Sequence, residues 1–245
     1  MTLSGHARRF TREVLKRAGY GIVRTDENRA PAARRVRLLR EHGIDLVFDV
    51  GANIGQYGWE LREHGYAGRI VSFEPLSGPY RELAGLSARR PPWTAVNIGL
   101  GDRSGTATLH VAGNSECSSL LALSARHTEA DASIRYVAEE VVRMSTLREV
   151  WDDHCGPDDR AYVKIDAQGF ERHIIRGAGP VLQRALGIQL ELSFVPLYEG
   201  ETPFQEMVDE MRSLGFLLRT VEPMYVDPTS GELLQLDAVF FRRRS

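Results

Sequence analysis

Leu46-Val47-Phe48-Asp49-Val50-Gly51-Ala52-Asn53-Ile54-Gly55 reads as two halves. Residues 46–50 are apolar and rich in valine, with one acid among them, the pattern of a buried parallel strand. Residues 51–55 form a glycine-spaced turn, and Gln56-Tyr57-Gly58-Trp59-Glu60-Leu61-Arg62 leads on as a helix. A strand, a tight turn and a helix N-terminus together make a cradle for a nucleotide cofactor. Gly51 and Gly55, lacking a Cβ, are expected to let the backbone approach that ligand closely.

Asp49 narrows the choice of cofactor. An acid at the strand's exit opposes the pyrophosphate of a dinucleotide by roughly 4 kcal/mol at 4 Å and an effective dielectric of 20. The same acid favours the sulfonium and ammonium of S-adenosylmethionine, whose carboxylate a helix N-terminus can accept. Asn53 also interrupts the G-x-G-x-x-G pattern of dinucleotide folds. Asp49, Gly51, Ala52, Asn53, Gly55 and Tyr57 are therefore the first candidate cofactor contacts, with an ordinary glycine turn as the alternative. The second group is Ile70-Val71-Ser72-Phe73-Glu74-Pro75. Glu74, at the tip of the next strand, is placed to accept both ribose hydroxyls of an adenosine, each hydrogen bond contributing roughly 1.5–3 kcal/mol. Pro75 fixes the backbone after it. A third strand ends in Val96-Asn97-Ile98-Gly99-Leu100-Gly101-Asp102, where Asn97 and Asp102 are expected to flank the adenine, unless this is a plain turn into the next segment.

The candidate catalytic stretch is Tyr162-Val163-Lys164-Ile165-Asp166-Ala167-Gln168-Gly169-Phe170-Glu171. Lys164 and Asp166 lie two apart on one strand and share a face, with Asp166 at the carboxyl end where open α/β sheets hold ligands. Lys164 is one of only two lysines in an arginine-rich chain, which points to a need for a compact ammonium. It reads equally as a structural partner of Asp166 or Glu171. Glu191, ending Gln189-Leu190-Glu191, opens onto the same edge. Asp166 is the first choice of base for an acceptor hydroxyl and Glu191 the second.

The chain has 245 residues, 42% hydrophobic and 26% charged, the composition of a soluble globular domain. It contains no membrane-length apolar run and no apolar secretory core, so it reads as cytoplasmic. Cys117 and Cys155 are too few and too far apart for a disulfide framework or zinc motif. Residues 1–43 carry eleven Arg and Lys against four acids, so a basic arm of net charge +7 precedes a remainder of −9. Residues 2–18 read as an amphipathic helix suited either to packing on the domain or to an anionic membrane face, where a lipid-linked acceptor would be met. No recognition motif or interleaved aromatics supports nucleic acid as a partner. Pro31 begins a second helix with Val36 and Leu39 inward, closed by Gly43.

From residue 44, strands at 45–50, 69–73, 94–98, 161–165, 187–192, 215–221 and 235–241 alternate with helices at 56–64, 78–88, 145–153, 169–184 and 203–213. This predicts a parallel sheet covered by helices on both faces. The turn Asp227-Pro228-Thr229-Ser230-Gly231 predicts an antiparallel last strand. Residues 104–142 interrupt the alternation with one strand at 105–111 and a polar stretch at 114–119, read as an insertion over the mouth of the site.

Over residues 44–241 the chain resembles the FkbM family of S-adenosylmethionine-dependent methyltransferases. The likeness rests on Val47 to Tyr57, Phe73-Glu74-Pro75, Val163-Lys164-Ile165-Asp166 with Gly169 and Glu171, and Leu236-Asp237-Ala238-Val239-Phe240. Gln168 stands where the family usually has Glu. The resemblance implies a class I methyltransferase fold, an α/β domain (44–245) with a seven-stranded, mostly parallel sheet behind the 1–43 extension. It also implies O-methylation of a sugar, glycolipid or polyketide-type hydroxyl. The alternatives are a Mg²⁺-dependent methyltransferase of the same fold, a nicotinamide-dependent dehydrogenase, and a non-catalytic binding protein.

Overall fold

The computed structural model describes residues 30–131 and 133–243. The expected helix over 2–18 lies outside them. Helix α1 (Pro31–Glu41) begins on its proline, and Gly43, at φ +64°, turns the chain into the first strand. The alternation then runs β1 (Leu46–Val50), α2 (Gln56–Glu63), β2 (Arg69–Phe73), α3 (Ser77–Ser87), β3 (Trp93–Val96), β4 (Gly99–Leu100), β5 (Gly105–Ala112), α4 (Ala125–Ala130) and β6 (Tyr136–Ser145). It continues with α5 (Leu147–His154), β7 (Ala161–Ile165), α6 (Glu171–Ala178), β8 (Gly187–Ser193), α7 (Phe204–Ser213), β9 (Phe216–Val226) and β10 (Leu233–Arg242).

The main sheet has seven strands in the order β3-β2-β1-β7-β8-β10-β9. β10 is antiparallel to both neighbours, lying between β8 and β9. This is the class I methyltransferase architecture, with the reversed last strand that the Asp227 turn predicted. Asp227 makes that turn by accepting the amides of Thr229 and Ser230.

Alternation along the strands builds a core on each face. Phe48, Val163 and Ile188 point to the side of α5, α6 and α7, where Trp151, Ile174 and Met211 pack. Val47, Ile70, Tyr162 and Phe241 point to the other side, where α1 and α2 supply Val36, Leu39 and Leu61. Helix α1 is thus packed into this core. The predicted 169–184 helix is shorter: α6 stops at Ala178, and Gly179-Pro180 turns the rest into a 3₁₀ segment over 179–184.

The insertion holds more structure than one strand. β5 pairs antiparallel with β6, and β4 joins as the other neighbour of β6, making a second three-stranded sheet. β6 escaped the sequence reading because nine of its ten residues stay exposed or half-buried and Glu139-Glu140 interrupts its apolar pattern. Among the described residues no helix is long and apolar enough to cross a membrane.

Candidate active site

A cleft of about 440 Å³ opens at the carboxyl ends of the parallel strands. Gly51, Ala52 and Asn53 line it from the first turn, Glu74 and Pro75 from the second, and Lys164, Asp166 and Gln168 from the β7 exit. Glu191 and Asp237 close one side, while Ser115, Glu116 and Ser119 from the insertion lie across it. The strap is tied to the first turn: Asn53 Nδ2 donates to Ser115 Oγ (3.1 Å), and Gln56 Nε2 donates to Glu116 Oε1 (2.8 Å).

Glu74 is almost wholly buried at the cleft wall. Its Oε2 accepts the Asn53 amide and its Oε1 the Leu76 amide, both at 2.8 Å. Burial pushes its carboxyl up to about 7, against the pull of those two amides. Each oxygen keeps a further lone pair for a ribose hydroxyl. Leu76, Ile98, Leu100, Met144 and Phe170 supply apolar lining for a base. The two cations of the lining are already neutralised, Arg35 by Glu222 at 2.7 Å and Lys164 by Asp49 at 3.2 Å. An adenosyl group without phosphates fits this set, whereas a pyrophosphate would meet Asp166, Glu191 and Asp237 without a free counter-charge.

Several expected contacts serve the scaffold instead. Asp49 is fully buried beneath the cleft, where Ser72 donates to its Oδ2 (2.9 Å) and Lys164 faces its Oδ1. Its charge is answered inside the sheet, and it is not part of the cleft lining. A Cβ on Gly51 (φ +73°) would overlap the carbonyl oxygen of Asp166, so that glycine permits the close approach of two strand ends. Gly55 (φ +98°) faces Leu83, Leu86 and Trp93, permitting helix packing in place of ligand approach. Tyr57 lines the cleft, and its hydroxyl donates to Gln189. Asn97 donates its amide to the carbonyls of Glu74 and Pro75, clamping the second turn, and Asp102 is exposed outside the cleft lining. From that stretch it is Ile98, Gly99 and Leu100 that reach the cleft.

Lys164 is nearly buried, 3.2 Å from Asp49, 3.5 Å from Asp166, and donates to the Gly51 carbonyl at 3.0 Å. Burial alone would depress its ammonium, but Asp49, Asp166 and Asp237 outweigh it and raise the pKa. It therefore stays charged and fastens the glycine turn to β7. Glu171 bonds the amides of Ala167 and Gly169 at the start of its own helix, and burial pushes it up to about 8. Glu191 is held well above the usual carboxylate range by burial first, then by Asp166, Glu171, Asp237 and Glu201.

Gln168 joins the two candidate bases: its Nε2 donates to Asp166 Oδ1 (2.8 Å) and to Glu191 Oε2 (2.7 Å). Sequence reasoning marked Gln168 only as a departure and missed Arg35, which arrives from α1. Its sole signal was the run of arginines in that helix. Among the described residues no group of three or more His, Cys, Asp and Glu is arranged to hold a metal ion.

Solved structures with a similar chain path include the 1,6-didemethyltoxoflavin N1-methyltransferase of Burkholderia thailandensis, crystallised with S-adenosylhomocysteine. It is 14% identical with a TM-score of 0.45, covering 100% of this chain and 92% of that one. Another is a precorrin-6y C5,15-methyltransferase of Geobacter metallireducens, 12% identical with a TM-score of 0.45, covering 90% and 93%. No curated protein matches the chain. The assignment comes from sequence: the family model of the methyltransferase FkbM domain matches residues 49–218, the span that carries the cleft's first turn, Glu74, Asp166 and Glu191. The chain belongs to the FkbM family of methyltransferases, with S-adenosylmethionine as its methyl donor.

Proposed function

We propose that the chain is an O-methyltransferase acting on a hydroxyl of a sugar, glycolipid or polyketide-type natural product. The observation that supports this most directly is the pair of carboxylates, Asp166 and Glu191, converging on the cleft through one amide group. Bound, S-adenosylmethionine supplies an electrophilic methyl on a sulfonium. The protein's share is to hold the acceptor oxygen on the correct axis and to receive its proton. A carboxylate of ordinary basicity does the second task poorly; burial among other acids makes Glu191 a stronger base. Lys164 lies 3.5 Å from Asp166 and pairs with that carboxylate. In this reading Glu191, the second choice from sequence, accepts the proton. Asp166 is left to accept a hydrogen bond from a neighbouring hydroxyl, an arrangement that suits the vicinal hydroxyls of a sugar.

Incubation with methyl-labelled donor and glycolipid or metabolite extracts, followed by mass spectrometry, tests the reading. The label is expected on oxygen. Glu191→Gln should lower kcat about 10²- to 10⁴-fold with little change in S-adenosylhomocysteine affinity. Wild-type kcat/KM should rise with pH through the Glu191 titration, a limb that the variant lacks. Labelled nitrogen or carbon, or full turnover by Glu191→Gln, would refute it.

A further inference from the structure

Gln168 is bonded on every polar atom of its side chain. While Nε2 donates one hydrogen to Asp166 and the other to Glu191, Oε1 accepts the hydroxyl of Tyr198 at 2.6 Å. Reversing the amide would set its oxygen against both carboxylates and its NH₂ against a donor, so the orientation is fixed by chemistry. The backbone is fixed as well. Gln168 sits at φ +54°, and its carbonyl accepts Ser119 Oγ from the insertion at 2.7 Å. Tyr198 is wholly buried, with its Cβ and ring occupying the space that a Cβ on Gly169 would enter and its ring edge-on to His127 at 5.2 Å.

We propose that Gln168, locked by Tyr198, is a positioning residue that holds Asp166 beside Glu191, the proton acceptor, and sets the pH at which Glu191 ionises. This deepens the reading of the two carboxylates given above and rests on it. The remaining donors come from the floor: Gln235 Nε2 reaches Glu191 Oε2 at 3.2 Å, and Lys164 lies beside Asp166 Oδ2. Charged and titratable groups face Glu191 from several sides: Asp166 just past β7, Glu171 on α6, Asp237 on β10, Glu201 before α7, and Tyr198 and Cys117 from the connecting segments. Among the described residues, the only neutral side chain that donates to both members of the pair is Gln168. Its bond to Glu191 favours that group's ionised form without adding a charge. A carboxylate at position 168 would oppose both.

The test needs no methyl acceptor. Infrared pH titration follows the protonated-carboxyl C=O band that is present in wild type and absent from Glu191→Gln. Its midpoint is expected to rise by a unit or more in Gln168→Glu, a tenfold gain in proton affinity, and by less in Tyr198→Phe, in the same direction. A merely structural role would lower the melting temperature and leave the midpoint in place. Unchanged midpoints in folded Gln168→Glu and Tyr198→Phe overturn the proposal, as does the absence of any band assignable to Glu191. Should Gln168→Glu fail to fold, Tyr198→Phe decides alone. An acceptor methylated on nitrogen would sink the O-methylation reading and leave these titrations standing.

Discussion

At the scale of single residues, the lysine of the catalytic stretch turns inward. Lys164 stands directly across the ladder from Asp49, which in turn stands across from Ser72, so parallel register lines up hydroxyl, carboxylate and ammonium under the cleft. Trp93 Nε1 extends the row by donating to Ser72 Oγ. Lys164→Met leaves a fully buried Asp49 without its counter-charge, an arrangement that costs about 3–5 kcal/mol. Urea unfolding should show that loss directly. Glu74 makes a second prediction. A ribose diol donating to its carboxylate favours the charged form, so cofactor binding should expel a proton from a group that titrates at about 7. S-adenosylhomocysteine affinity is then expected to strengthen as pH rises through neutrality. Glu74→Gln should weaken it by about 1.5–3 kcal/mol and flatten the pH dependence. Calorimetry in two buffers of different ionisation enthalpy reads the proton.

Among elements, α6 packs closely against the chain just after β4. Gly177 lies so close to β4's exit that a Cβ there would overlap the Gly101 carbonyl oxygen, a backbone atom that cannot swing aside. Gly177→Ala is expected to cost about 3 kcal/mol and to lower the melting temperature. Because α6 begins beside Asp166 and Gln168, cofactor affinity should fall with it. Gly58 poses a milder version in α2, where the obstacle is the Trp93 side chain. The strand and helix alternation was legible because each element buries a face with its own period. β6 was not, since it carries its second sheet with little of itself buried. The strap over the cleft is held by Asn53–Ser115 and Gln56–Glu116, partners about sixty residues apart that no local pattern links.

For the whole molecule, the buried acids dictate how stability follows pH. Glu74, Glu171 and Asp237 titrate at about 7, 8 and 6, all above ordinary carboxylates, with burial the leading cause in each. The folded protein therefore binds more protons than the unfolded chain between about pH 4 and 8. Stability contributed by these groups is fully present below the unfolded pKa and is lost as pH rises through the folded values. Without cofactor, thermal unfolding should give a higher melting temperature near pH 5.5 than near pH 8. The corresponding difference in unfolding free energy is on the order of a few kcal/mol. Asp227, lowered to about 2 by the amides of its turn and Arg126, acts in the opposite sense, but only at more acid pH. Helix α1 belongs to this whole. Its Arg35 reaches Glu222 on β9 at 2.7 Å and also lines the cleft, tying the start of the described chain to the far edge of the sheet.

By itself the sequence determined what depends on near neighbours: the strand, glycine turn and helix at residues 46–62, the acid at the tip of β2, acids at the exits of β7 and β8, and the reversed closing strand. Each is written in spacings of a few residues, where backbone period and turn chemistry decide the outcome. Tertiary structure alone decided the uses of those residues. Cross-strand register gave Asp49 to Lys164, close packing claimed Gly51 and Gly55, and folding brought Tyr198 to Gln168 and Arg35 to Glu222. Such pairings join positions 30 to 187 residues apart. They depend on which faces the core buries together, and no local pattern records that.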